Sequence, residues 1–165
     1  MLRLYMAAAA MLAFSTVTAG AADSALSPAA NAAYLANYAK KSGVVVRPSG
    51  LEYRILQSGF GARPGALDIV SVYYKGTLIN GKRFDATEPG FPAQFPVNGV
   101  IPGWTEALQM MPVGSKWKLF VPSNLAYGDQ QAGPMIAPGS TLIFEVELLD
   151  IVKPKSNGAD STGKH

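Results

Sequence analysis

Five prolines, Pro89, Pro92, Pro96, Pro102 and Pro112, interrupt one short stretch in the middle of the chain. Each fixes its own φ and removes a backbone donor, so no long helix and no central strand runs through this region. It supplies only short strands, loops and one helix, "GVIPGWTEALQMMPVG", Gly99 to Gly114. There Trp104, Ala107, Leu108 and Met111 recur at i, i+3, i+4 and i+7, which predicts one buried stripe. On either side the period changes to two. Leu51, Tyr53 and Ile55 alternate with Glu52, Arg54 and Leu56, as in a half-buried strand. "DIVSVYYKGTLING" is a longer strand that turns at Asn80-Gly81, a strong hairpin signal. "SKWKLFVP" and "STLIFEVELLDIV" follow, with Lys116, Lys118, Glu145 and Glu147 alternating against apolar positions. The expected architecture is α+β: an antiparallel five- to six-stranded sheet curled around one short helix.

The ends read differently. "MLRLYMAAAAMLAFSTVTAGAAD" places Arg3 before an apolar run and then small residues, the layout of a signal peptide over residues 1–22. In "SPAANAAYLANYAKKSG" Ser27 can cap, Pro28 can take the first helical position and Gly43 ends the run, giving a short helical segment over 23–42. The folded domain is expected over 43–152, and the polar tail 153–165 is expected to be disordered. A chain of 165 residues, 48% hydrophobic, can bury one good core. Its net charge of +3 is too small to argue for nucleic acid. A protein exported to the periplasm, or secreted, is expected, with no membrane association after signal cleavage.

The residue inventory restricts the chemistry. His165, in the tail, is the only histidine and there is no cysteine. Serine–histidine triads, thiol catalysis and histidine-ligated metal sites therefore have no residues to use. Asp68, Asp85, Glu88 and Glu106 leave an all-carboxylate pair formally open, although Asp68 fits a strand start and Glu106 an exposed helix face. No cofactor and no metal are expected, and an enzyme built from this set would use little acid–base chemistry.

Four pieces are apolar where a solvated loop would be polar: "YYKG" at Tyr73–Gly76, "RFDAT" at Arg83–Thr87, "VIPGW" at Val100–Trp104 and "LAYG" at Leu125–Gly128. Each has a bland reading as core or turn. In this order, however, with "FPVNGVIPGWTEALQMMPVGSKWKLFVP" and "STLIFEVELLDI", they resemble the FKBP-type peptidyl-prolyl isomerases from about Gly43 to Val152. The entry "PSGLEY" and the helix "VIPGWTEALQ" are most similar to the bacterial envelope branch of macrophage infectivity potentiator proteins.

The resemblance implies a pocket. Tyr74 matches its wall tyrosine, Phe84 and Asp85 its phenylalanine and single acidic group, and Val100, Ile101 and Trp104 its floor. Tyr127 matches the loop tyrosine, Ile136 an apolar flap residue and Phe144 the aromatic on the last strand. Two positions depart from the best-known small members: Ala93 stands where an aromatic wall is expected and Ala132 where the flap carries a histidine. Asp85, Tyr127, Phe84 and Trp104 are the implied catalytic set, with Tyr74, Val100, Ile101, Ile136 and Phe144 binding substrate. The implied partners are proline-containing segments of unfolded exported proteins, with the macrolides FK506 and rapamycin as inhibitors. A monomer is expected, because the short stretch between the expected cleavage site and Gly43 does not match the long helical dimerisation domain of the larger envelope members.

Three readings follow: an isomerase of X-Pro bonds, a module that holds proline segments with little turnover, and a purely structural role. The last would bury Trp104 with no cavity above it; the first two expect one face of its indole to be open to a pocket.

Overall fold

The structure is a computed structural model and describes residues 25–152. The expected signal peptide and tail lie outside those residues. Helix α1 spans Pro28–Tyr38, with Ser27 as its cap: the Ser27 hydroxyl accepts from the Ala30 N–H at 3.2 Å, and Pro28 sits in the first turn where its missing donor costs nothing. Strands β1 (Val44–Val46), β2 (Glu52–Gln57), β3 (Ile69–Thr77), β4 (Arg83–Ala86) and β5 (Ala93–Pro96) follow. Helix α2 (Pro102–Met110), β6 (Lys116–Val121) and β7 (Leu142–Val152) complete the domain.

All seven strands form one antiparallel sheet in the order β1-β2-β6-β7-β3-β4, with β5 also pairing β3. That is one strand beyond the expected range, because three-residue β1 and proline-flanked β5 carry too few residues to show a period. β3 organises the site. β7 pairs it along its whole length, while its other edge is shared between β4 at Lys75–Thr77 and β5 at Ile69–Val72. The hairpin forms as expected: Gly81 takes φ +83°, and Leu78 N–H donates to Lys82 O at 2.9 Å.

The α2 stripe is buried as its spacing predicts, with Ala107, Leu108 and Met111 fully inside. Gly103 lets the helix come close to β6, since a Cβ there would lie 2.5 Å from Val121 Cγ1. On the opposite face of the sheet Lys118 and Lys75 flank Glu145, at 3.8 and 3.6 Å, an exposed network of small energetic worth.

Strand β2 departs from its pattern. Leu51 is buried and Tyr53 stacks on Trp117 with ring centroids 4.3 Å apart, but Ile55 is half-exposed and Glu52 is only 4% exposed. The alternation is present; what covers each face differs. β1 accompanies β2 only over Glu52–Arg54, so beyond Arg54 the outer edge of β2 is uncovered, and the pairing with β6 shifts register between Ile55 and Gln57. Glu52 lies opposite Phe120, on the face that α1 covers by setting Tyr38 3.7 Å from the Phe120 ring.

Among the described residues, Glu52 Oε2 has no hydrogen-bond partner, and burial pushes the carboxyl above its ordinary value of 4.5. A raised carboxyl pKa means that the folded state holds the proton more tightly. Glu52 therefore costs stability as pH rises above 4.5, and the cost is absent below it. Glu52→Gln is expected to raise Tm at about pH 7 and to leave it unchanged at about pH 4. Calorimetry at both pH values checks this, and an equal gain at both would show that the charge is not the cause.

Candidate functional site

A cavity of about 480 Å³ opens where β3, β4, β5, β7 and the start of α2 meet, lined by Tyr74, Phe84, Phe95, Ile101, Trp104 and Phe144 among others. Asp85, Gly99, Val100 and Tyr127 complete its rim. Of the nine residues expected from the sequence, eight line it. Ile136 does not: it is 7% exposed, packs in the core and accepts a hydrogen bond from the Ala132 N–H at 2.9 Å. The short bridge between Ala132 and Ile136 turns its side chain inward.

Trp104 also differs from expectation. It is 2% exposed, so what remains open of the indole is reached only from within the cavity. Tyr74, Phe95 and Phe144 stand edge-on around it, with centroids 5.2, 5.8 and 5.2 Å away and planes turned by 84–90°. Rings packed perpendicular to one another at these distances interact favourably and wall the indole in. Trp104 is thus the bottom of an aromatic well, and its Nε1 has no acceptor among the described residues. The well itself is what a purely structural role would lack.

Phe95 is the residue that the sequence reading missed. Ala93 and Phe95 are alternate residues of β5, opposite Val72 and Val70, and so point the same way. The wall that Ala93 vacates is filled two residues further along the strand. Stepping by two from Ala93 would have found it.

Phe84 and Phe144 meet edge-on at 5.6 Å, with planes at 87°. Gly76 makes this possible: a Cβ there would lie 2.6 Å from Phe84 Cζ and 2.9 Å from Phe144 Cε1. The glycine of "YYKG" serves two rings on neighbouring strands.

The polar groups sit at the rim. Tyr74 donates its hydroxyl proton to Asp85 Oδ2 at 2.6 Å, and Asp85 Oδ1 accepts from the Ala86 N–H at 2.9 Å. Burial, then the Asp85 hydrogen bond and charge, then Tyr127, hold the Tyr74 phenol well above its ordinary value of 10.0, so it remains a donor. Tyr127 is 46% exposed, and neither its hydroxyl nor the Ile101 N–H has a hydrogen-bond partner among the described residues. The Ile101 carbonyl, by contrast, starts α2 by accepting from Trp104 and Thr105. The result is an aromatic floor with a free donor from the backbone and one from a phenol at its edge. Among the described residues, no group of three or more His, Cys, Asp or Glu is placed to hold a metal ion, and no helix is long and apolar enough to cross a membrane.

Comparison with known proteins gives this arrangement a family. The model of the FKBP-type peptidyl-prolyl cis-trans isomerase matches residues 61–149, and that of the domain amino-terminal to such isomerases matches residues 5–55. The outer membrane protein MIP of Legionella longbeachae is 54% identical over 122 residues, 73% of this chain and 52% of the relative. The FKBP-type 22 kDa peptidyl-prolyl cis-trans isomerase of Escherichia coli is 57% identical over 120 residues, 72% of this chain and 58% of the relative. This chain therefore spans little more than half the length of either. A crystal structure of a peptidyl-prolyl cis-trans isomerase from Pseudomonas syringae superposes with a TM-score of 0.72 at 39% identity, covering 83% of this chain and all of that one. The chain belongs to the FKBP-type peptidyl-prolyl cis-trans isomerases.

Proposed function

We propose that this chain is a peptidyl-prolyl cis-trans isomerase acting on X-Pro bonds of exported proteins in the periplasm. The observation that carries the reading is the open aromatic well over Trp104 with two unpaired donors, the Ile101 N–H and the Tyr127 hydroxyl, at its rim.

The reaction breaks no bond. Rotation about a peptide C–N bond costs about 18–20 kcal/mol because resonance holds it planar. The two isomers of an X-Pro bond differ by only about 0.5–1 kcal/mol, yet exchange over tens to hundreds of seconds. The planar amide separates charge more than the twisted one, so removing water from around it destabilises the ground state more than the transition state. The proline ring sits against Trp104 between Phe84, Phe95, Tyr74 and Phe144. The Ile101 N–H and the Tyr127 hydroxyl donate to substrate carbonyls flanking the bond. Asp85 orients Tyr74 and needs to exchange no proton. Each 1.36 kcal/mol of preference for the twisted amide is worth about tenfold in rate.

Exchange NMR or a protease-coupled assay on an X-Pro peptide tests this. Catalysed exchange at micromolar protein, suppressed by FK506 and rapamycin competing for the same well, is expected. Peptide binding with uncatalysed exchange would leave a module that holds proline segments and overturn the isomerase. Export, through the signal-type segment at the amino terminus, is checked by the mass of the protein recovered from the periplasm. Sedimentation tests the proposed monomer.

A further inference from the structure

We propose that α1 braces the loop that carries Tyr127, and that Asn31 is the positioning residue through which it does so. The effect on turnover rests on the isomerase reading above; the brace itself does not.

Residues 126–141 join the short turn at Ser123–Leu125 to β7. Gly128, Gly133 and Gly139 all take positive φ there, at +61°, +63° and +75°, and the segment includes Pro134 and Pro138. Such a stretch has no repeating hydrogen bonds of its own, so its position depends on a few anchors. Its base is closed by the Gly139 N–H donating to Gly128 O at 2.9 Å. Tyr127 immediately precedes Gly128, whose N–H donates to Ser123 O at 2.8 Å, and its own carbonyl accepts from Gln130 N–H at 3.2 Å, so Tyr127 sits in the turn that the Gly139 bond closes.

What holds Gly139 comes from the other end of the chain. Two residues on, the Thr141 N–H donates to Asn31 Oδ1 at 2.9 Å, across 110 residues of sequence. Asn31 and Thr141 are each 2% exposed. Asn31 Nδ2 donates to Leu26 O and Ser27 O, both at 3.0 Å, which ties the same amide to the start of α1. Pro28 packs directly against the loop: a Cβ on Gly139 would lie 2.9 Å from Pro28 Cγ. The far end of α1 is fixed to the sheet by Tyr38 and Tyr34 against Phe120. An asparagine is unusual on the buried side of a helix, and here its amide oxygen supplies the acceptor that Thr141 lacks before the β6–β7 pairing begins at Leu142.

The test uses the full chain under conditions where global unfolding is negligible. In Asn31→Ala the Thr141 amide loses its acceptor, and hydrogen exchange at the Gly139 amide, whose bond to Gly128 O the brace supports, is expected to speed up about tenfold or more, while Val146 and Leu148 in β7 keep their protection. Activity on an X-Pro peptide is expected to fall about fivefold in the wild-type background and hardly at all in Tyr127→Phe, because residues acting through one another are not additive. An equal loss in both backgrounds, or unchanged exchange at Gly139, overturns the proposal. If Asn31→Ala does not fold, Pro28→Gly removes the ring against Gly139 and is read by the same two measurements. Should the wild-type protein show no turnover, the isomerase reading fails and hydrogen exchange alone decides the brace.

Discussion

Asp85→Leu is expected to lower kcat/KM on an X-Pro peptide about 10- to 100-fold and Tm by several degrees, while circular dichroism below the transition stays that of the wild type. Asp85 is exposed, so little of the core depends on it. Its Oδ2, however, takes the hydroxyl proton of half-buried Tyr74 at 2.6 Å, a hydrogen bond to a charged group worth about 1.5–3 kcal/mol. The bond is already made in the free protein, so it acts on the rate by holding Tyr74 where the twisted amide needs it. If most of its energy goes into that placement, the loss falls in the stated range at about 1.36 kcal/mol per decade. A second variant separates two roles. Tyr74→Phe keeps the carboxylate and removes only the bond between the two groups. If Asp85 works by holding the Tyr74 wall in place, Tyr74→Phe reproduces most of the loss. If Tyr74→Phe turns over like the wild type while Asp85→Leu does not, the carboxylate acts on the substrate directly and the orienting role is wrong. Because the Tyr74 phenol is held above its ordinary value of 10.0, its link to Asp85 survives mildly alkaline solution. Turnover is therefore expected not to fall at alkaline pH on its account.

Much of this site was legible in the sequence because it is assembled from short, regular pieces. Period and turn residues gave the helical stripe of Trp104, the strands that hold Tyr74 and Phe144 and the hairpin beside Phe84 and Asp85, while the resemblance of these pieces in order to the family is what assigned those residues to one pocket. What was not legible depended on neighbours distant in the chain. Ile55 and Glu52 alternate correctly, yet which of them is buried was decided by the shortness of β1 and by α1 lying over Phe120. Trp104 was expected to show one face, but three rings from β3, β5 and β7 close around it, one of them the unexpected Phe95. Ile136 sits in a loop with no period, where sequence gives no direction for a side chain. Its hydrogen bond with Ala132 turned it to the core.

Gly76→Ala is expected to cost both stability and activity, and the second loss is the more informative. Gly76 is paired with Asp85 on one side and Phe144 on the other, near the end of β3, and its φ is not in the left-handed region, so alanine has no conformational difficulty there. Its effect is therefore steric. The new methyl would lie 2.6 and 2.9 Å from Phe84 Cζ and Cε2 and 2.9 Å from Phe144 Cε1, closer than carbon atoms approach without displacement. Overpacking of this kind typically costs about 1–3 kcal/mol. Both rings belong to the well, and the edge-on contact between them at 5.6 Å is the one that must open. Phe144 in turn stands against Trp104 at 5.2 Å, so the displacement reaches the floor on which the proline ring is proposed to sit. Tm should fall by several degrees, read by thermal melting. At a temperature where the variant is fully folded, kcat/KM should still be down about tenfold, equivalent to about 1.4 kcal/mol of lost transition-state preference. Full activity in a destabilised but folded variant would mean that the positions of Phe84 and Phe144 do not matter to turnover, and that the aromatic well is not where the bond rotates.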